Sequence, residues 1–325
     1  MRHRDKTENK EIIEYMRRRK RKDLPTALLL CLGFLMIGLL AGCGDEGEES
    51  AVTRVSVILP HNNDSYWDVV AGGINDAYLI AQESTNIDIR TMVPQINYST
   101  EQMTDLLNQQ IAAGVDILVV QGNEDEMFKS ALIKAYDAGI RIICMDTDEE
   151  DFPEHIYVGT NNYEAGRLLG NGLLTLAGEE GTGKVKVISG EPYYSNMQLR
   201  LQGLTDVLSG SGIEICEVVY DHYDGLTVMK EYEEDTEADL LACLEGTGLQ
   251  TIARMKTEHG DKYRYIVGFD DTECLKNHTA DGVLVQDMEG IGQTVVEEII
   301  RITGGEDTMA AEIYTPIQWV TEAVE

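Results

Sequence analysis

Residues 54–67, RVSVILPHNNDSYW, decide the fold of this chain. The apolar run 55–59 is too short to cross a membrane and too continuously apolar for a half-exposed strand. It therefore predicts a strand buried on both faces, as in a parallel sheet covered by helices. A polar loop, 61–65, follows, and ligands of open α/β sheets bind beyond such strand ends. This loop and the two aromatic residues after it, Tyr66 and Trp67, form a candidate ligand site.

The same unit of strand, polar loop and helix repeats along the chain. The pattern predicts strands at 53–59, 87–93, 115–120, 140–145, 155–158, 184–189, 213–220, 239–244, 263–269 and 282–286. It predicts helices at 66–82, 100–113, 125–138, 163–177, 195–209, 248–259, 272–280 and 290–303, an acidic segment at 221–238, and one or two closing strands within 312–321. Such alternation specifies an α/β fold with parallel sheets. The units are too many for one comfortable sheet, so we expect two doubly wound lobes that face each other across a cleft.

The amino-terminal residues predict an export signal. Residues 1–22 hold 10 of the 26 Lys and Arg, and the apolar run 26–41 leads into Gly42-Cys43-Gly44. The junction LLAGC resembles the bacterial lipobox, which implies removal of residues 1–42 and a lipid on the thiol of Cys43. The alternative is an uncleaved anchor with a chance LAGC, which also places the protein on a membrane.

The chain is strongly acidic, with a formal net charge of −32 at pH 7. Without residues 1–42 it would keep 16 Lys and Arg against 53 Asp and Glu. Such a surface argues against nucleic acid and anionic lipid as partners, so membrane attachment would depend on the lipid. Residues 43–51 then read as an acidic tether between the lipid and the fold.

The cysteines predict neither a metal site nor a certain disulfide. Cys144 and Cys243 lie in apolar strand-like runs and are expected to be small buried hydrophobes. Cys216 and Cys274 could pair, and the sequence leaves that open. No CxxC or Cys/His spacing indicates zinc, and no metal or cofactor is predicted.

Common enzyme motifs are missing from this sequence. A dinucleotide-binding fold would need GxGxxG after the first strand, whereas this loop is PHNNDSYW. GxSxG, HExxH and a P-loop are also missing, and His61 beside Asp64 is too little for a catalytic site. We therefore predict a protein that is not an enzyme and has no catalytic residues.

Seven segments, taken in order, resemble the type I periplasmic sugar-binding proteins, the ribose- and galactose-binding class that serves ABC importers. The segments are VSVILPHNNDSYW, AAGVDILVVQGN, AGIRIICMDT, YVGTNNYEAG, NMQLRLQGL, YIVGFDDT and GVLVQDMEGIGQ, and the resemblance covers roughly 52–321. It implies three chain crossings between the lobes. Lobe 1 would comprise 52–159 plus 287–313, and lobe 2 would comprise 160–286 plus 314–325.

The resemblance implies a lipid-anchored binding protein on the outer face of the cell membrane. It would capture a small polar ligand, a sugar or related polyol, and deliver it to an ABC permease. A sensory protein that presents its ligand to a membrane kinase or chemoreceptor is the alternative, and sequence does not separate the two. A sugar-responsive repressor shares the two-lobe module, but residues 1–50 offer an export signal in place of a basic DNA-binding headpiece.

The resemblance also implies the ligand residues. A sugar needs flat aromatics for its CH faces and planar hydrogen-bonding groups for its hydroxyl rim. Family positions and strand-end loops together give Asn63, Asp64, Tyr66, Trp67, Gln121, Asp146, Asn162, Arg200, Phe269, Asp270 and Gln286. We expect Trp67 to lie at the site and outside the core. We expect Arg200 to be wet in the open form and to pair with Asp146 or Asp270.

These positions keep ordinary structural alternatives. Asp146 could cap its loop, Arg200 could be a surface residue paired with Glu191, and Asp270 could cap a helix. The sequence also departs from the family pattern. Thr147 stands where an arginine is common, and Leu244-Glu245 replaces Asn-Asp. No clear match follows strand 213–220, where Tyr220 and Tyr223 are the candidate aromatics, so ribose itself is disfavoured.

Overall fold

The computed structural model describes residues 51–61, 65–149, 152–178, 181–306 and 311–322. The predicted export signal, Cys43 and all of the tether except residue 51 lie outside the described residues, as do Asn63 and Asp64. Within those ranges, no helix has both the length and the apolar character needed to cross a membrane.

Strands and helices alternate through the described chain, close to the predicted positions. The first half runs β1 (Thr53–Ile58), α1 (Ser65–Ala81), β2 (Ile87–Met92), α2 (Thr100–Ala113), β3 (Ile117–Val120), α3 (Glu126–Asp137), β4 (Arg141–Met145) and β5 (Ile156–Gly159). The second half runs α4 (Asn162–Ala177), β6 (Thr182–Ser189), α5 (Ser195–Leu208), β7 (Gly212–Tyr220), α6 (Gly225–Glu234), β8 (Leu240–Cys243), α7 (Gly246–His259), β9 (Tyr265–Phe269), α8 (Glu273–Lys276) and β10 (Gly282–Gln286). The chain then continues through α9 (Met288–Thr303), β11 (Ala311–Tyr314) and β12 (Ile317–Val320).

The strands form two six-stranded sheets with the same order of elements. The first sheet is ordered β2-β1-β3-β4-β5-β11 and the second β7-β6-β8-β9-β10-β12. Neighbouring strands are parallel except for β10 and β12, which are antiparallel. This confirms the predicted fold class, two doubly wound α/β lobes. The chain passes between the sheets three times, after β5, after β10 and between β11 and β12.

Helices cover both faces of each sheet, as the continuously apolar strands predict. Successive residues of β1 point to opposite faces, so Val57 packs beneath α1 and α9 while Ile58 packs beneath α2 and α3. Cys144 and Cys243 are buried among apolar side chains, which confirms their predicted role. Cys216 and Cys274 are free thiols in this structure.

Two of the predicted elements were wrong in detail. Residues 221–238 contain α6, whose N-cap Asp224 accepts a hydrogen bond from the backbone N–H of Leu226. Only Val228 and Tyr232 are buried on this helix, so its apolar stripe is too thin to show in an acidic sequence. The helix predicted at 272–280 is the single turn α8, because His278 takes a left-handed backbone with φ 55°.

Candidate functional site

A cavity of about 510 Å³ lies where the carboxyl ends of the two sheets face each other. Both lobes contribute to its wall. Its aromatic lining comprises Tyr66, Trp67 and Tyr98 from the first lobe and Tyr223 from the second. The remaining lining is mostly amide, carboxylate and hydroxyl groups, so the cavity suits a small ligand with flat apolar faces and a polar rim.

Two aspartates enter the cavity from equivalent positions. Asp146 directly follows β4 and Asp270 directly follows β9, with left-handed φ angles of 65° and 67°. Aspartate tolerates this backbone better than most residues. The backbone N–H of each is held by the next strand, through Val158 O at 3.0 Å and Leu284 O at 2.9 Å. The sheet edges therefore fix one carboxyl group on each side of the cavity.

Four protein donors hold the Asp146 carboxylate. Tyr66 Oη donates to Oδ1 at 2.5 Å, while Thr147 Oγ1 at 2.9 Å, Gln121 Nε2 at 3.2 Å and Asn196 Nδ2 at 3.2 Å donate to Oδ2. Burial, with the nearby Asp146 charge, raises the pKa of Tyr66 well above its usual value, so its hydroxyl stays a donor. Because Asn196 lies on α5, its bond joins the two lobes.

Further contacts across the cleft show the lobes closed. The rings of Tyr98 and Tyr223 stack with centroids 4.9 Å apart and planes 14° apart. Ser195 Oγ donates to the backbone oxygen of Asp148 at 2.9 Å. These contacts can form only when the two sheet edges approach, so the described arrangement is the closed one.

Arg200 is buried, with 2% of its surface exposed, and it donates to three neutral oxygens. Nε reaches Asn162 Oδ1 at 2.8 Å, Nη1 reaches Leu244 O at 2.8 Å, and Nη2 reaches Gln286 Oε1 at 2.9 Å. The guanidinium carbon lies 4.2 Å from the centre of the Phe269 ring. All four partners belong to the second lobe or its edge, so opening the cleft would not release them.

One expectation for Arg200 is wrong, and another stays a prediction. Its nitrogens are directed to oxygens of its own lobe and form no ion pair with the aspartates. The expectation that Arg200 is wet concerns the open form and stays a prediction. Asn162 and Phe269 contact the guanidinium but do not themselves line the cavity. Whether either touches a ligand stays a prediction.

Gln286 connects Asp270 to the crossing between the lobes. Its Nε2 donates to Asp270 Oδ2 at 2.8 Å, and its Oε1 accepts from Thr160 Oγ1 at 2.7 Å as well as from Arg200. Burial raises the pKa of Asp270 to about 6, while the Arg200 charge and the Gln286 hydrogen bonds act in the opposite direction and the Asp146 charge adds to the rise. Asp270 therefore accepts hydrogen bonds from Gln286 alone among the described residues, whereas Asp146 accepts them from four residues.

Trp67 lines the cavity and is also part of the core. Only 2% of its surface is exposed, and it packs in the cluster that contains Val57, Val70 and Ile74. Its Nε1 donates to Tyr98 Oη at 3.2 Å. The expectation that this residue lies outside the core is therefore wrong, because α1 begins at the strand end and turns its second aromatic inward.

The structure divides the sequence-predicted ligand residues into three groups. Those that line the cavity are Tyr66, Trp67, Gln121, Asp146, Arg200, Asp270 and Gln286. Asn162 and Phe269 lie behind Arg200, and Asn63 and Asp64 are outside the described residues. The ligand-binding role of these residues stays a prediction.

Sequence reasoning missed several residues of the cavity. Tyr98 has a left-handed φ of 57° in a loop without a motif, and nothing in the sequence indicates it. Asn196 follows the first residue of α5 just as Tyr66 follows the first residue of α1, so a comparison of the two halves could have found it. Glu245, seen as a departure from the family pattern, caps α7 and lines the cavity. Burial and the Asp221 charge raise the pKa of Glu245 to about 8.

Comparison with known proteins identifies one family. A family model described as "Periplasmic binding protein domain" matches residues 55–307. A D-ribose/D-allose-binding protein of Pseudomonas aeruginosa is 23% identical over 245 residues, which cover 68% of this chain and 75% of that protein.

Two solved structures show the same fold. GanP, a glucose-galactose binding protein from Geobacillus stearothermophilus, superposes with a TM-score of 0.75 at 22% identity, covering 83% of this chain and 98% of that one. The fructose-binding periplasmic domain of a hybrid two-component system superposes with a TM-score of 0.72 at 17% identity, covering 82% and 90%.

Proposed function

Because this chain belongs to the periplasmic binding protein family, we propose that it captures a sugar or related polyol between its lobes and delivers it to an ABC importer. The family consists of solute-binding proteins and not of enzymes. The observation that supports the proposal most is the cavity itself. It is closed by both lobes, and it combines aromatic faces with amides and carboxylates.

The lining matches the chemistry of a sugar ring. Tyr66, Tyr98 and Tyr223 offer aromatic surface to the CH faces of a ring. Gln121 and Asp270 keep acceptor capacity for hydroxyl groups. The volume of about 510 Å³ falls within the range of about 300–1,000 Å³ that is usual for small-molecule sites.

We further propose that the protein is anchored to the outer face of the cell membrane through lipid on Cys43. The order of basic region, apolar run and LLAGC junction supports this. Cys43→Ala should release the protein from the membrane or leave its signal uncut. A labelled fatty acid that fails to mark Cys43 in the intact chain would contradict the anchor.

A sensory role is the second candidate, because a protein of the same fold is the periplasmic domain of a hybrid two-component system. A cell that lacks this protein distinguishes the roles. Loss of uptake of a radiolabelled ligand indicates import. Normal uptake with loss of ligand-induced transcription indicates sensing.

The binding proposal is tested with the purified chain from residue 52 onward. A thermal-shift screen of aldoses, ketoses, polyols and amino sugars should find at least one compound that raises the melting temperature, because a ligand bound only to the folded state stabilises it. That compound should also lower the radius of gyration in X-ray scattering if the lobes close on it. A screen with no stabilising compound would contradict sugar capture.

A further inference from the structure

The cavity is lined by more acidic than basic side chains. Arg200 is the one basic side chain among its described lining residues. Each of the three guanidinium nitrogens already donates to a neutral oxygen, of Asn162, Leu244 or Gln286. The acidic lining residues are Asp146, Asp270, Asp271, Glu273 and Glu245, and the raised pKa of Glu245 keeps that group mostly protonated at pH 7. A neutral ligand would bring no positive charge to this acidic lining when it fills the space between the lobes.

Gln121 carries an unused acceptor into this space. It is 5% exposed, and its Oε1 accepts no hydrogen bond from any described group. Its Nε2 donates to Asp146 Oδ2 and to Thr147 Oγ1. Because a carboxylate only accepts, the amide must place its nitrogen there, and this leaves Oε1 as a buried acceptor without a donor. A buried acceptor without a donor is costly, so the site is built to receive one from its ligand.

Asp270 has the same kind of spare capacity. Its carboxyl group accepts two hydrogen bonds, both from Gln286, whereas Asp146 accepts four. An ionised carboxylate offers about four acceptor positions. Asp270 can therefore receive two more donors without losing a protein contact, and it is the second-lobe counterpart of the saturated Asp146.

We propose that the ligand is a cationic polyol, an amino sugar or an amino-substituted cyclitol, whose protonated amine is received by Asp270 and whose remaining donors include one for Gln121. An ammonium group has three donors and no acceptor, which fits a cavity rich in acceptors. A hydroxyl group alone would satisfy Gln121 but would bring no positive charge to Asp270. This inference rests on the proposed function, because it specifies the class of sugar that the same cavity binds.

The test compares ligands that differ only in the charged group. We would measure Kd by calorimetry at pH 7 for D-glucosamine beside D-glucose, D-galactosamine beside D-galactose, and an amino-deoxy-inositol beside inositol. At least one amine should bind about tenfold or more tightly than its neutral parent. Its N-acetyl derivative should lose that advantage, because acetylation removes the charge and keeps the ring.

Two variants locate the amine. Asp270→Asn should abolish the preference of the best amine over its parent, since asparagine is nearly isosteric and also tolerates the left-handed backbone. Glu214→Gln removes one charge from an exposed position on β7, outside the lining of the cavity, and it should keep the preference. If Asp270→Asn does not fold, the comparison of ligands on the unmodified chain still decides the proposal.

The pH dependence provides an independent readout. The groups that face Asp270 are Arg200 of α5, Asp146 beyond β4 and Tyr66 of α1. The pKa of Asp270 is raised to about 6, so the carboxyl becomes neutral below that pH. Affinity for the amine should fall between pH 7 and pH 5, although the amine itself gains charge over that range. An affinity that holds or rises would contradict the role of Asp270.

Outcomes that overturn the inference differ from those that overturn the proposed function. Neutral parents that bind as tightly as the amines overturn the inference and leave sugar capture intact. The same holds if a neutral sugar from the wider screen binds and no amine does. If neither amines nor neutral sugars bind, both the inference and the proposed function fail.

Discussion

The two lobes share a backbone frame and differ in what they place on it. Gly73 and Gly203 are each the ninth residue of their helix, α1 and α5. Gly292 and Gly166 are each the fifth residue of the facing helix, α9 and α4. A Cβ atom built on any of the four would lie within 2.3 Å of a backbone oxygen of the partner helix. Glycine therefore allows the same close helix crossing in both lobes.

The side chains around this crossing are different in kind. The sixth residue is Val70 in α1 and Arg200 in α5, and both are buried. The first residue of the facing helix is Met288 in lobe 1 and Asn162 in lobe 2. An apolar pair in one lobe thus corresponds to a hydrogen-bonded polar pair in the other. The comparison teaches that the close helix crossing sets the backbone in both lobes. Equivalent positions on that backbone carry apolar core side chains in lobe 1 and polar side chains of the site in lobe 2.

The largest loss of stability should come from truncating the aromatic side chain that α1 places in the core of lobe 1. Trp67→Ala removes a core side chain of lobe 1 and should cost about 3–5 kcal/mol in the free energy of unfolding. Its counterpart Met197→Ala, in the core of lobe 2, should cost nearer 2 kcal/mol because the side chain is smaller. Urea unfolding followed by circular dichroism measures both. An unchanged midpoint for Trp67→Ala would return this residue to a purely ligand-binding role.

Arg200→Ala should have the next largest effect. It leaves the oxygens of Asn162, Leu244 and Gln286 without their donor, which should cost about 3 kcal/mol even in the absence of ligand. Arg200→Lys should recover little, because one ammonium cannot reach three oxygens that a planar fork reaches together.

The matched control for Arg200 is Val70→Ala, which should cost about 1–2 kcal/mol through lost burial alone. Differential scanning calorimetry of the unliganded variants gives the ranking. A melting temperature for Arg200→Ala equal to that of the unmodified chain would show that the guanidinium does not hold the lobe together.

The close helix crossing is tested by replacing its glycines with alanine. Gly203→Ala places a Cβ 2.1 Å from Tyr163 O, and Gly73→Ala places one 2.3 Å from Glu289 O. The helices must move apart, at about 1–3 kcal/mol for each lobe. Gly72→Ala is the control, because a Cβ there meets nothing within 4 Å and should stabilise α1 by about 0.5–1 kcal/mol.

The chain contains two tryptophans, Trp67 in lobe 1 and Trp319 in lobe 2, so fluorescence can assign each loss to its lobe. Gly73→Ala should lower the midpoint of the unfolding transition reported by Trp67. Gly203→Ala should lower the midpoint of the transition reported by Trp319. Equal stability of Gly72→Ala and Gly73→Ala would mean that the crossing is not close packed.

The sequence predicted the frame better than the site. Apolar runs and their spacing depend on neighbours in the chain, so the strands and most helices could be located. Asp146 and Asp270 could also be found, since each follows a strand directly. The partners of Arg200 could not, because its hydrogen bonds join α5 to residues far away in the chain. The short helix α6 was hidden because an acidic, thinly apolar segment shows no clear period.

The smallest predicted effect concerns a ring stack that joins the two lobes at the cavity. Tyr98 and Tyr223 stack with planes 14° apart, and both hold left-handed φ angles, 57° and 56°. Such a pair is worth about 0.5–1.5 kcal/mol beyond its buried area. Because the stack needs both lobes together, it should stabilise the closed state and contribute nothing to either lobe alone.

A double-mutant cycle isolates this contribution. Tyr98→Leu, Tyr223→Leu and the double variant should show a coupling of about 1 kcal/mol in the binding free energy of the tightest ligand from the thermal-shift screen. Tyr98→Leu also removes the acceptor of Trp67 Nε1, but that loss is the same in both backgrounds and cancels in the cycle. The urea stability of the unliganded variants should show no coupling, provided the lobes unfold independently. The opposite result, a coupling in stability and none in binding, would contradict this prediction. It would mean that the stack holds the two lobes closed whether or not a ligand is present.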